Sequence, residues 1–287
     1  MRVLHRQLTA LRWLTMSFIA VLLGLSASSA VARDTYSLAI VPQYSPLTVH
    51  RNWQPLLKAL EKDTGIKLKL RVYNSFNRFI GGLERGDADF AYLAPYHLVV
   101  ARETQPYVPL LRDGTRDLIG VVVVRKDSPY TKIEDLHGKQ IDFPSPNAFA
   151  ASLYLRAHLR EKLGLDYTPR YVGNHDNVYR HVALGLSEGG GGVNNTLSQQ
   201  PKTLKGKLRV LYEVPGVASH PLAAHQRVPE DVRNRIQQAI LSWSTRPERQ
   251  ALLKAVQLAT PVPASYSNDY KNLETLGLEK YLVEPGR

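Results

Sequence analysis

No cysteine occurs in the 287 residues of this chain. That absence excludes disulfides, thiolate metal ligands, cysteine nucleophiles and a lipid anchor on an N-terminal cysteine. Histidine is present, yet never as His-x-His or His-Glu-x-x-His, so no zinc-type ligand spacing exists. The glycine run Gly189-Gly190-Gly191-Gly192 is followed by neither a lysine–serine/threonine pair nor a spaced third glycine, which excludes the Walker and dinucleotide patterns. Long apolar runs are scarce: the stretch from Leu14 to Leu25 falls short of the roughly 20 residues that span a bilayer. Basic runs with interleaved aromatics are missing too, so no nucleic-acid partner is expected. No metal and no cofactor is implied.

What is present begins with an export signal. Arg2, Arg6 and Arg12 form a basic n-region, the apolar stretch follows, and Ala30-Val31-Ala32 is a small-x-small cleavage site. Residues 1–32 therefore read as a secretory signal peptide, cleaved near Ala32, and a cysteine-free exported chain suits the periplasm. Their removal leaves 255 residues and, with three arginines and no acids lost, lowers the formal charge from +12 to +9. That length supports one large or two modest domains. The lysines and arginines are dispersed, which points to a mild bias toward anionic small ligands and otherwise to solvated surface.

Strands and helices alternate along the mature chain. Tyr36–Val41 reads as a strand, Trp53, Leu56, Leu57 and Leu60 recur at helical spacing, and Gly65 closes that helix. Ile66, Leu68, Leu70 and Val72 alternate as a second strand. Ser75 caps a helix carrying Phe76, Phe79, Ile80 and Leu83, Ala88–Leu93 is a third strand, and Pro95 opens the next helix. This order predicts a mostly parallel sheet with helices on both faces. A second unit follows, with a buried strand at Leu118–Val124, strands near Gln140–Phe143, Arg170–Val172, Gly191–Val193 and Leu208–Val214, and helices starting near Asn147, Asn177 and Asn195. The tail from Pro229 is largely helical. Gly/Pro breaks near Thr115–Gly120 and Val214–His220 mark two crossings between the units. The layout is a two-lobed α/β clamp with its cleft at the carboxyl ends of the strands, lobe 1 taking residues 33–118 and 216–287 and lobe 2 residues 119–215.

The most informative stretch is Gln140–Ser152. A short strand runs into Phe143-Pro144-Ser145-Pro146, whose prolines hold Phe143 and Ser145 extended, and Asn147 is placed to cap a helix carrying Phe149, Leu153, Leu155 and Leu159. A strand that delivers a helix N-terminus to a cleft builds an anion site from unpaired N–H groups and the helix dipole.

Several strings then resemble a known family. Ala39-Ile40-Val41-Pro42, Trp53-Gln54-Pro55-Leu56, Gly86-Asp87-Ala88-Asp89-Phe90-Ala91-Tyr92-Leu93-Ala94-Pro95-Tyr96, Val123-Val124-Arg125-Lys126-Asp127-Ser128-Pro129 and Asp135-Leu136-His137-Gly138-Lys139 look like the periplasmic phosphate/phosphite/phosphonate-binding proteins of ABC transporters. The resemblance spans roughly the whole mature chain and implies an α/β, two-lobed periplasmic binding protein fold, a Venus flytrap with two hinge crossings. It implies a non-catalytic receptor, expected as a monomer, that hands a small anionic solute to an inner-membrane permease. Where family members carry Asp-Pro-x-Ser-Thr-Ser-Gly, this chain has Phe143-Pro144-Ser145-Pro146-Asn147-Ala148-Phe149, which keeps backbone donors and drops most hydroxyls.

The resemblance places ligand contacts at Ser145, Asn147 and Ala148 on the helix start and at His175 in the Asn174-His175-Asp176 turn. Asp176 either orients the His175 ring or caps the following helix. Tyr44, after the first strand, and Tyr92, Pro95 and Tyr96, after the third, are the aromatic candidates. Gly191 is a source of bare N–H donors, and Ser219 and His220 at the second crossing touch ligand or hinge. Two alternatives share this sequence: a ligand-sensing subunit for a membrane signalling protein, and a periplasmic phosphoesterase. The latter needs an activated nucleophile, for which Ser145 with His175 is the one suggestive pair. The solute stays open among phosphate, phosphite, a phosphonate, another oxyanion and a carboxylated organic molecule.

Overall fold

The computed structural model describes residues 35–283, and the export signal expected at 1–32 lies outside them. β1 (Thr35–Ile40) is apolar on both faces in its second half. It leads into α1 (Pro46–Thr64), where Ser45 accepts from the Thr48 amide, Pro46 occupies the first turn, and Gly65 ends the helix at φ 71°. β2 (Lys67–Val72), α2 (Phe76–Glu84, capped by Ser75), β3 (Phe90–Tyr92), α3 (Pro95–Thr104) and β4 (Tyr107–Asp113) follow. The first sheet has the order β11-β4-β10-β3-β1-β2. β1 pairs in parallel with β2 and β3, but β10 (Leu222–His225) lies antiparallel between β3 and β4, and β11 (Pro261–Pro263) is antiparallel to β4. The sheet is therefore mixed rather than mostly parallel, because a strand from late in the chain inserts beside β3.

The second sheet, ordered β7-β6-β8-β5-β9, draws its strands from residues 120–213. β5 (Gly120–Arg125) is antiparallel to β8 (Gly189–Val193) and β9 (Leu208–Glu213), while β6 (Gln140–Phe143) is parallel to β8 and β7 (Thr168–Tyr171). The unbroken apolar run of β5 reflects burial on both faces. The four glycines form β8. A Cβ at Gly191 would meet the Ala151 carbonyl oxygen and, at 2.5 Å, Phe143, and one at Gly192 would strike the Tyr179 hydroxyl, so elements on both faces approach the strand too closely for any side chain.

The chain crosses between the sheets twice, and the crossings run side by side, joined by reciprocal Leu118–Val217 backbone hydrogen bonds of 2.7 and 3.1 Å. α4 (Tyr154–Glu161), α5 (His175–Ala183), α6 (Asn194–Ser198) and α7 (Lys202–Lys205) belong to the second lobe. α8 (Glu230–Ser242) buries Val232, Ile236 and Ile240 against the first, followed by the buried Trp243 and by α9 (Pro247–Ala255). The last described residues return across the cleft. Tyr96 donates to Glu279 at 2.7 Å on the first lobe, whereas Lys280 pairs with Glu161 at 2.7 Å and Arg156 donates to the Tyr281 carbonyl at 3.3 Å on the second.

Candidate functional site

β6 ends at Phe143 against the cleft, and the proline-stiffened turn brings the next helix to its edge. Asn147 does not cap that helix. Its amide instead grips the tail, donating to Val283 O at 2.6 Å and accepting from Val283 N at 2.9 Å, so a tertiary partner displaces the local one. The cap position falls to Ala148, and Phe149–Leu153 forms one wide π turn before α4. The amides of Ser152 and Leu153 both donate to Ala148 O, which leaves the N–H groups of Phe149, Ala150 and Ala151 ahead of the first intrahelical bond. The carbonyls that precede them are already occupied: Arg156 donates to Pro146 O at 2.8 Å and His97, from α3 of the other lobe, bonds Asn147 O at 2.8 Å. The helix start is thus left with donors and few competing acceptors.

These residues wall a closed cavity of about 10 Å³, room for no more than one water. Val41, Gln43, Phe76, Ala94 and His220 come from lobe 1, and Ala148–Ala151, His175 and Val193 from lobe 2. Most of the lining is apolar, and its only polar side chains are Gln43, His175 and His220. Among the described residues, neither a carboxylate nor a lysine or arginine lines it.

Asn174 caps α5 by accepting from the Asn177 amide at 3.0 Å, which sets His175 at the first position of the helix, two residues earlier than the start expected at Asn177. The His175 backbone N–H reaches across the cleft to Gln43 O at 3.2 Å, and its Nδ1 lies 3.0 Å from the Thr196 hydroxyl. Thr196 rather than Asp176 orients the ring, since Asp176 accepts from Gln200 at 2.9 Å. His220 stacks on Tyr92 with centroids 5.5 Å apart. Its Nε2 lies 3.3 Å from the Gln43 amide nitrogen, which can only donate, so Nδ1 carries the proton and is buried without a partner. Burial pulls the pKa of His175 down to about 3 and that of His97 to about 4, and burial together with the neighbouring His97 and His175 pulls His220 to about 3. All three rings are neutral here at physiological pH.

The aromatic candidates divide. Tyr44 donates to Gln199 of lobe 2 at 3.0 Å and accepts from Gln257 of lobe 1 at 2.9 Å, and burial raises its pKa. With Tyr92, Trp53 and Gln257 it lines a second pocket of about 10 Å³ that shares Val41 and Gln43 with the first. Tyr96 stacks on Phe149 at 5.6 Å, but its hydroxyl is committed to Glu279. The structure therefore gathers Ala148 and His175 at the cavity and Tyr44 and Tyr92 at the adjoining pocket. Pro95, Ser145, Asn174, Gly191 and the side chain of Asn147 do not line either. Gln43, His97 and the Phe149–Ala151 amides are cleft features absent from the sequence expectations. Gln43 precedes Tyr44 in one loop, a usable signal, whereas His97 looks like an ordinary helix residue.

Gly185-Leu186-Ser187-Glu188-Gly189 has the Gly-x-Ser-x-Gly spacing of a hydrolase elbow. It joins α5 to β8, the reverse of the strand-to-helix turn that exposes a nucleophile, and the Ser187 hydroxyl is engaged with the carbonyls of Gln140 and Gly189 at 3.1 and 2.8 Å. His175 Nδ1 is bonded to Thr196, not Ser145. Among the described residues, no group of three or more His, Cys, Asp or Glu could hold a metal ion, and no helix is long and apolar enough to cross a membrane.

Comparison with known proteins bears on this geometry. The chain is 23% identical over 224 residues to the phosphate-import protein PhnD of Mycolicibacterium smegmatis, covering 71% of this chain and 70% of that one. It is 22% identical over 261 residues to the phosphonates-binding periplasmic protein of Escherichia coli, covering 85% and 76%. Its fold matches that of PhnD1 from Prochlorococcus marinus in complex with methylphosphonate, with a TM-score of 0.77 at 16% identity over 87% of this chain and 99% of that one. A binding-protein component of an ABC phosphonate transporter from Pseudomonas aeruginosa superposes with a TM-score of 0.75 at 14% identity, covering 84% and 85%. A family model described as "ABC transporter, phosphonate, periplasmic substrate-binding protein" matches residues 38–270, most of the chain. The chain belongs to that family of periplasmic substrate-binding proteins.

Proposed function

We propose that the chain is the solute receptor of an ABC importer, and that it closes on a small phosphorus oxyanion of the phosphate, phosphite or phosphonate type. The observation that carries this assignment is the convergence, in one carboxylate-free cavity, of three helix-start N–H groups with His175 and His220. Such donors hold an oxyanion without a formal counter-charge. The apolar walls from Val41, Phe76 and Phe149 suit a ligand with a small hydrocarbon substituent, which favours a short alkylphosphonate over inorganic phosphate. A cavity of about 10 Å³ cannot admit either, so the lobes part at the paired crossings and close again on the solute. The closed form is what an inner-membrane permease reads. Residues 33–118 with 216–287 and residues 119–215 act as the two moving lobes, and residues 1–32 direct the chain to the periplasm. The solute is released unchanged: among the described residues no serine, threonine, cysteine, lysine or carboxylate lines the cavity. The signalling alternative has no residue of its own to rest on.

Calorimetry with methylphosphonate, phosphite and phosphate, and ethanesulfonate as control, tests the assignment. His175→Ala should weaken binding by about 1.5–3 kcal/mol, the scale of a hydrogen bond to a charged group. If none of the three phosphorus oxyanions binds, the receptor assignment is wrong.

A further inference from the structure

The buried cavity lacks cations, but a groove outside it does not. Between the lobes on the Tyr44 side lies a polar groove of about 400 Å³, bounded by Arg116, Lys254 and Thr260 of lobe 1 and by Asn195, Ser198 and Gln199 of lobe 2. Its one carboxylate, Asp113, is hydrogen-bonded on both oxygens: one accepts from the Thr115 amide and hydroxyl, the other from the Thr260 amide at 3.0 Å. Arg116 and Lys254 have no ion-pair partner among the described residues. With two cations against one carboxylate, and with hydroxyls and amides around them, the concave surface favours an anion.

The wall between this groove and the inner pocket has its own peculiarity. Gln257 lines both, and it is the only non-glycine residue with positive φ among the described residues, at 62°. Its Nε2 donates to Tyr44 while its Oε1 is buried without a partner. The left-handed backbone closes α9, with Leu258 N donating to Leu253 O at 2.9 Å, so the orphan Oε1 is the feature that packing does not account for. Tyr44 in turn ties Gln257 on one lobe to Gln199 on the other. Beyond them lie Tyr92 and Gln43, and Gln43 borders the buried cavity.

We propose that the groove is an anion-capture site distinct from the buried cavity, with Arg116 and Lys254 drawing in the oxyanion and the Tyr44–Gln257–Gln199 clasp gating its passage inward. The inference rests on the receptor assignment for what travels inward, but the capture site itself does not need it. Both cations are exposed, so the Arg116→Gln/Lys254→Gln variant retains the fold, which circular dichroism verifies.

Amide chemical shifts are followed during titration with inorganic phosphate, and stopped-flow kinetics are measured with methylphosphonate. We expect Thr115, Arg116 and Asn195 to shift in the wild type and not in the variant. The association rate should fall about tenfold at low ionic strength and lose its salt dependence, with dissociation within about twofold. Shifts confined to His175 and Phe149, with unchanged association, overturn the capture site and leave the receptor assignment standing. Shifts confined to the groove support the capture site while the receptor assignment fails. Silence at both overturns both.

Discussion

Three neutral imidazoles at the lobe interface make the protein acid-labile, and the size of the effect can be worked out. His97, His175 and His220 are held near pKa 4, 3 and 3 by burial, against a free value of about 6.5. At pH 5 the unfolded chain has protonated all three and the folded chain none, so unfolding takes up protons and stability falls as pH drops. The contribution is complete above about pH 7.5 and is lost progressively below about 6.5. At pH 5, about 1.5 below the free value, each ring costs about 2 kcal/mol at about 1.36 kcal/mol per pH unit. Together they cost about 6 kcal/mol, a large share of a typical 5–15 kcal/mol stability. Urea unfolding at pH 7.5, 6.5, 5.5 and 5.0 reads this directly. Replacing one histidine, as in His220→Gln, should remove about a third of the decline while leaving the amide partner for Gln43. If wild type and the three single glutamine variants lose stability in parallel between pH 7.5 and 5, the interface histidines do not control it.

Other outcomes follow from the same geometry. An anion seated against His175 and His220 raises their pKa values, so binding should take up protons near pH 5.5, visible in calorimetry as heats that vary with buffer ionisation enthalpy; buffer-independent heats contradict such contact. A chain ending at Leu278 loses the bonds from Glu279, Lys280, Tyr281 and Val283, and should show a larger radius in small-angle scattering than the full chain; an equal radius means the tail does not hold the lobes. Gly192→Ala places a methyl against the Tyr179 hydroxyl and should lower stability by about 1–3 kcal/mol in thermal unfolding, and an unchanged melting temperature refutes the close packing around β8.

What the sequence makes legible is local chemistry. Ser75, Gly65 and Pro95 act on their nearest neighbours, and they mark helix ends as expected. Gly/Pro breaks likewise fall at the two crossings, though they do not reveal their pairing through Leu118 and Val217. Long-range choices are not written locally. β4 contains Pro109, which reads as a breaker, yet the strand is held by β10 and β11 on either side. Asn147 is a good cap by type, but Val283 offers it two bonds at once. The histidines show the same limit at the site, since His97 is buried between Phe76 and Phe79 of its own lobe and the opposite lobe's Asn147 carbonyl.

The position of β10 has a consequence for how this chain can be cut and how it assembles. The second sheet is made from consecutive residues, so all its pairings lie within one continuous segment. The first sheet keeps a gap between β3 and β4 until Leu222–His225 arrive. Before then both strands present unpaired edges, the feature that invites pairing with other chains. Closing the gap joins residues far apart in sequence and so carries the high contact order of a slow step. A fragment that stops short of residue 222 is therefore not a smaller first lobe but an open template, and the natural unit for dissection is the inserted lobe alone.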